Sequence, residues 1–174
     1  MTTFETDARY LAKTYRRFPL EIAEGHGSLV TGTDGREYID LGSGIAVNLF
    51  GLQDEQWKRA VIAQLDRFQH CSNLYCCEPV ARLAELLCTR TGMERVFFSN
   101  SGAEANECAI KVARKWAAEA KGKEFYNIIT LNKSFHGRTL ATLAATGQDV
   151  FHRNFQPLPA GFLYADVGDR AGLE

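Results

Sequence analysis

Apolar residues in this chain recur every three or four positions in some stretches and alternate or run together in others, and the change of period divides it into elements. Residues 6–16 read as a short helix that stops before Pro19, because the residue ahead of a proline avoids the helical basin. Glu21–Ala23, Ser28–Thr31 and Arg36–Leu41 read as strands separated by Gly25-His26-Gly27 and Asp34-Gly35, and Asp-Gly between β-prone runs signals a hairpin. After the Gly42-Ser43-Gly44 turn and a loop over residues 45–51, Asp54 caps a helix whose Trp57, Val61, Leu65 and Phe68 share a face. Pro79 sits where a first-turn proline is tolerated. Val80, Leu83, Ala84 and Leu87 mark the helix that follows it, and Gly92 ends that helix.

From Arg95 onward the pattern alternates. A strand over Arg95–Phe98, a helix over Ala103–Ala120, a strand over Asn127–Leu131, a helix over Thr139–Thr146 and a strand over Phe162–Ala165 follow one another. Such alternation implies parallel strands with helical crossovers, and ligands at the carboxyl ends of the strands. The fold class is therefore α/β: a small antiparallel segment, then an incomplete, mainly parallel sheet with flanking helices. No repeat, low-complexity tract or long linker interrupts the chain. The expected boundary falls between Gly42 and Asp54, giving segments 1–48 and 49–174. In the helix over 103–120, Ala105, Cys108, Ala109, Val112, Ala113 and Trp116 form the face expected to be buried. Glu107, Lys111, Lys115 and Glu119 form a solvated stripe.

Composition narrows the partners. The 174 residues carry 20 basic and 21 acidic side chains, which leaves no electrostatic footprint for nucleic acid or an anionic membrane. No apolar run is long enough to span a bilayer, and Met1-Thr2-Thr3-Phe4-Glu5-Thr6-Asp7 lacks the basic and apolar regions of a signal peptide. The expected home is the cytoplasm, and the expected partners are small molecules or protein. The 5 cysteines lack the C-x-x-C spacing of a zinc or redox pair, so reduced thiols and no metal are expected.

Two strand ends carry the chemistry. Phe98-Ser99-Asn100-Ser101-Gly102-Ala103-Glu104 joins a strand to a long helix, where unpaired amides and the helix dipole favour an anion and Gly102 leaves room for a phosphate. Ser101-x-x-Glu104 is also a capping box, and taken alone the spacing favours capping over phosphate binding. In Ser134-Phe135-His136-Gly137-Arg138-Thr139, the Phe135 ring is suited either to stack on a flat pyridine ring or to pack in the core. Arg138 lies close to a helix start, where a cation opposes the dipole; it either grips a carboxylate partner or is solvated. His136 reads as a neutral, hydrogen-bonded structural histidine.

With these motifs, the chain resembles the N-terminal portion of the class III pyridoxal-phosphate-dependent aminotransferases, and within them the acetylornithine and succinylornithine branch. The resemblance runs from Thr14-Tyr15-Arg16-Arg17-Phe18-Pro19-Leu20 through Asp34-Gly35-Arg36-Glu37-Tyr38-Ile39-Asp40-Leu41, Ser43-Gly44-Ile45-Ala46-Val47-Asn48 and His70-Cys71-Ser72-Asn73-Leu74-Tyr75 to the two motifs above. It implies the type I pyridoxal-phosphate fold, with Ser101, Gly102 and Ala103 holding the cofactor phosphate. Phe135 and His136 would lie at the pyridine ring and Arg138 on the substrate carboxylate. The implied activity is transfer of an amino group from N-acetylornithine or a related amine to 2-oxoglutarate in a homodimer.

Leu52-Gln53-Asp54-Glu55-Gln56 stands where the family has a Gly-His-x-His-Pro turn. The family's Schiff-base lysine and the acid that meets the pyridine nitrogen have no counterpart in these residues, so no catalytic residue is assigned. The chain is expected to be a truncated, inactive portion with an exposed sheet edge, prone to associate. A phosphate-binding or dimerisation module, and an ornithine or 4-aminobutyrate aminotransferase, are the alternative readings.

Overall fold

A computed structural model describes residues 1–173, and the chain divides into two compact units, one covering Met1–Cys77 and the other beginning at Glu78. The first opens with α1 (Thr3–Tyr10), where the Thr2 hydroxyl accepts from the Glu5 amide at 3.2 Å and the Thr2 amide donates to the Glu5 carboxylate at 2.8 Å. Such reciprocal capping satisfies two amides that a helix start leaves unpaired. The helix ends at Tyr10, well before the expected Arg16. It buries no residue, so packing does not extend it, and Arg17 folds back to donate to Asp7 at 2.6 Å.

Strands β1 (Ile22–His26), β2 (Leu29–Gly32) and β3 (Glu37–Ile39) form an antiparallel sheet in that order, with Val30 buried. The Asp34-Gly35 hairpin forms as the sequence predicts. Gly35 has a φ of +76°, and the Asp34 carboxylate accepts from the Arg36 amide and the Tyr38 hydroxyl at 3.0 and 2.9 Å. Those hydrogen bonds, the amide's first, hold the Asp34 carboxyl below its ordinary range.

The segment read as a loop after Gly42 contains α2 (Ser43–Ala46), a single turn of left-handed backbone with φ of 47°, 63°, 61° and 61° at Ser43, Gly44, Ile45 and Ala46. Leu52 exchanges two backbone hydrogen bonds of 2.8 Å with Gly27, so the stretch that departs from the family turn closes onto the β1–β2 connection. Asp54 then caps α3 (Glu55–Leu65), its carboxylate accepting from the Trp57 amide at 2.7 Å.

The second unit begins with α4 (Glu78–Thr91), which carries Pro79 in its first turn and ends at Gly92 with a φ of +73°. Arg95–Phe98, expected as a strand, joins no ladder among the described residues. Its β-prone composition is not enough, because a strand exists only with a hydrogen-bonding partner. Then follow α5 (Gly102–Ala120), β4 (Ile128–Leu131), α6 (Leu140–Ala145), α7 (Asp149–His152) and β5 (Phe162–Ala165). A 3-10 turn, Ala171–Leu173, closes the described chain, and α7 was not foreseen. Strands β4 and β5 pair in parallel, from Ile128 opposite Phe162 to Leu131 opposite Ala165.

The core of this unit is α6. Its Thr142, Leu143, Ala144 and Ala145 are buried where it packs against α5, β4 and β5, together with Ile110, Thr146 and Ala165. The expected apolar face of α5 is not the one buried, although Lys111, Lys115 and Glu119 are exposed as expected. Ile110 is buried on that helix, while Ala105, Ala109, Val112, Ala113 and Trp116 are exposed and Cys108 is half-buried. Arg114 staples α5 to the sheet by donating to the Tyr126 and Ala160 carbonyls at 3.1 and 2.9 Å, with its guanidinium 5.1 Å from the Phe162 ring centre. Among the described residues, no helix is long and apolar enough to cross a membrane.

Candidate active site

Ser101 is the N-cap of α5, extended at φ −154° and ψ 161°, and its hydroxyl accepts from the Glu104 amide at 3.2 Å. The Glu104 carboxylate does not complete the expected capping box on Ser101. It reaches one residue further back, accepting from the Asn100 amide at 2.8 Å and the Asn100 side chain at 3.2 Å. The Asn100 side chain is the foremost cause that holds the Glu104 carboxyl below the ordinary glutamate range. The Ala105 amide makes the first intrahelical bond, to the Ser101 carbonyl at 3.0 Å. The Gly102 and Ala103 amides, at the first two helical positions, have no hydrogen-bond partner among the described residues, and a side chain at Gly102 would meet open space. Two unpaired donors at the positive end of a 19-residue helix, with open space at Gly102, suit an anion.

The second motif lies against this turn. Gly137, at φ +126°, presses so closely that a Cβ there would stand 2.7 Å from the Ala103 Cβ and 2.7 Å from the Thr142 hydroxyl. Only glycine fits both the conformation and the space. The Asn106 side chain donates to the His136 carbonyl at 2.8 Å, and the Thr139 hydroxyl hydrogen-bonds the Glu107 carboxylate. Glu107 is thus half-buried and engaged, not part of a solvated stripe. The structure therefore brings together the two motifs that the sequence singles out.

Residues 133–137 are tied down on their other side as well. The Lys133 amide donates to the Gly147 carbonyl at 2.6 Å, the Gly147 amide to the Ser134 hydroxyl at 3.2 Å, and the Gln148 side chain to the Ser134 carbonyl at 2.9 Å. The His136 amide donates to the Thr146 hydroxyl at 3.0 Å. It is the backbone of His136 that is hydrogen-bonded. Its ring nitrogen Nε2 is buried without a partner among the described residues, beside a groove of about 310 Å³ lined by Asn106, Ile110 and Thr130. The expectation of a hydrogen-bonded imidazole does not hold at that atom.

Phe135 is half exposed, so it is not a core residue. Its ring meets Phe151 edge-on at 5.7 Å, and the Arg138 guanidinium lies 5.5 and 5.9 Å from the two ring centres. Arg138 has no ion pair among the described residues; cation–π contact holds it, leaving its donors available to a carboxylate. The sequence reading missed Asn106, Thr142 and Thr146. Polar residues on helices otherwise built to be buried are the signal that marks them.

Residues 10–173 match the family described as aminotransferase class-III. The chain belongs to that family. As a class-III aminotransferase it is 52% identical over 165 residues to the acetylornithine aminotransferase of Haemophilus ducreyi, covering 95% of this chain and 42% of that protein. It is 44% identical over 173 residues to the acetylornithine aminotransferase of Caldanaerobacter subterraneus, covering 99% and 44%. The class-III fold is equally plain in structure. The ornithine aminotransferase of Toxoplasma gondii, solved with partial occupancy of pyridoxal phosphate at its active site, superposes with a TM-score of 0.88 at 29% identity, over 98% of this chain and 40% of that one. The omega transaminase of Pseudomonas jessenii, solved with PMP, gives a TM-score of 0.87 at 26% identity, over 95% and 39%. This class-III chain thus spans about two fifths of the length of the relatives it matches.

Proposed function

We propose that this chain is the cofactor-phosphate half of an acetylornithine-type aminotransferase, which moves an amino group from N-acetylornithine or a related amine to 2-oxoglutarate with pyridoxal 5'-phosphate. One observation carries the reading. The unpaired Gly102 and Ala103 amides start α5 where Gly102 faces open space, beside a turn that presents an exposed aromatic ring and an arginine without an ion pair among the described residues. The residues fit the group: backbone donors and a helix dipole for the phosphate, the Phe135 face for the ring, and the Arg138 fork for a carboxylate. When bound, the cofactor supplies an electron sink. Gly102 and Ala103 would anchor its phosphate, with Ser101 holding the helix start in place through Glu104, and Phe135 and His136 would lie at its ring. Arg138 would orient the substrate carboxylate.

The higher identity to acetylornithine aminotransferases, 52% against 29% for an ornithine aminotransferase, supports the first amine over the second. The 174-residue chain alone is inactive in this reading, because none of its lysines lies in the family's Schiff-base context. The reading also carries a cytoplasmic location, a homodimer for the whole protein, and a boundary near residue 48 between a small-domain segment and the start of the cofactor domain.

The test is titration of the chain with pyridoxal 5'-phosphate and with pyridoxal lacking the phosphate, alongside an assay with N-acetylornithine and 2-oxoglutarate. Binding that needs the phosphate and is lost in Gly102→Glu, without turnover, supports the proposal. Equal affinity for both ligands, or indifference to Gly102→Glu, overturns the phosphate assignment, and turnover by the chain alone overturns its inactivity.

A further inference from the structure

We propose that Thr146 and Asn106 are positioning residues that clamp the His136 peptide and thereby set where the Phe135 ring stands; this rests on the reading that a phosphorylated pyridine binds beside it. The two ends of His136 are held by side chains from different elements. Thr146, at the C-terminal cap of α6, accepts from the His136 amide at 3.0 Å, and Asn106, on α5, donates to the His136 carbonyl at 2.8 Å.

The Thr146 hydroxyl has no freedom to turn away. It is fully buried, and it donates its own proton to the Thr142 carbonyl at 2.9 Å, which aims its lone pairs at His136. Thr142 is fully buried too, and its hydroxyl meets that of Thr139, itself bonded to Glu107. Thr142 thus links the two ends of α6, its hydroxyl to Thr139 and its carbonyl to the Thr146 hydroxyl that meets His136.

Packing holds the neighbouring ring only lightly. Phe135 is 52% exposed, meeting Phe151 edge-on and the mobile-stemmed Arg138 guanidinium at 5.5 Å, so its place depends chiefly on the backbone. That backbone is held on one side at Ser134, whose carbonyl accepts from Gln148, and on the other at His136 and then at Gly137, which rests on Ala103. The phosphate end of the site is built differently: the Gly102 and Ala103 amides belong to α5 and need neither clamp residue for their position. The clamp should therefore govern affinity for the ring and leave affinity for the phosphate alone.

The experiment compares two probes on the whole chain, inorganic phosphate and pyridoxine 5'-phosphate, which carries the ring but no aldehyde. In Thr146→Val, pyridoxine 5'-phosphate should bind about tenfold more weakly, the scale of one buried amide left unpaired, with phosphate affinity unchanged. Thr146→Ser should restore binding, and hydrogen exchange at the His136 amide should quicken only in the valine variant. Asn106→Ala, on the half-buried face of α5, repeats the test from the carbonyl side should Thr146→Val not fold. Equal loss of both probes, no loss of either, or failure of serine to rescue overturns the clamp while leaving the pyridoxal-phosphate reading intact. A wild-type chain that binds phosphate but gains nothing from the attached ring overturns the ring-binding reading, and the positioning role falls with it.

Discussion

Gly137 rests on Ala103, with no room between them for even one further carbon, and this contact joins the phosphate turn to the aromatic turn. Gly137→Ala would put a Cβ 2.7 Å from the Ala103 Cβ at a φ of +126° that side chains rarely adopt. The expected cost is about 2 kcal/mol or more of stability, from strain and overpacking together. Urea unfolding measures it. A change under about 0.5 kcal/mol, the range of a neutral surface substitution, would mean that the contact is slack.

Phe135→Leu keeps an apolar side chain but removes the flat face. Affinity for pyridoxine 5'-phosphate should fall about fivefold, within the range of an aromatic pair's extra attraction. Fluorescence titration reads it directly, and an unchanged affinity would place the ring elsewhere.

His152 makes a prediction about a proton. Its Nε2 lies 3.0 Å from the Leu143 carbonyl and 2.7 Å from the Thr146 carbonyl, and both are acceptors, so Nε2 must carry the hydrogen. Nitrogen NMR should show a protonated Nε2 in the folded chain. His152→Leu removes this donor from two carbonyls that keep the Thr146 and Gln148 amides, and should cost about 1 kcal/mol, the net worth of one hydrogen bond.

Glu104 ties stability to acidity. Its carboxyl is held below the ordinary glutamate range, foremost by the Asn100 side chain, so the charged form is favoured by folding. The contribution is therefore complete above the ordinary glutamate range and fades as the pH falls through the lower folded value. Glu104→Gln should flatten the acid limb of a stability curve measured by chemical denaturation. An acid limb as steep in the variant as in the wild type would assign the loss to other carboxylates.

In the first unit, Ile45 holds a left-handed φ of 61° and is almost fully exposed. A branched residue there is strained and buries nothing in compensation. Ile45→Gly should raise thermal stability by about 1 kcal/mol, and a fall would show that the side chain is engaged.

What was legible in the sequence was local. Asp54 as the cap of α3 and Asp34-Gly35 as a hairpin depend on neighbours a few residues away, and both appear as expected. The direction in which α5 faces is not local. Small and apolar residues occur on more than one side of that helix, and only the presence of α6 and β4 decides that Ile110 turns inward and Trp116 outward. Arg95–Phe98 shows the same limit, since composition can make a segment ready to pair but cannot supply the partner. The phosphate turn and the aromatic turn were each visible as motifs. That Thr146 and Asn106 meet at His136 was not, because those contacts cross 10 and 30 residues of sequence.

The joint between the motifs is made of backbone and a single methyl group. Under the proposed function, such a seam would have nothing to exchange when the amine changes: a different substrate would be met by altering what Phe135, Arg138 and their surroundings present, while Gly137 and Ala103 stay as they are. A search for new amine specificity in this family would do well to randomise the rim and leave the seam untouched.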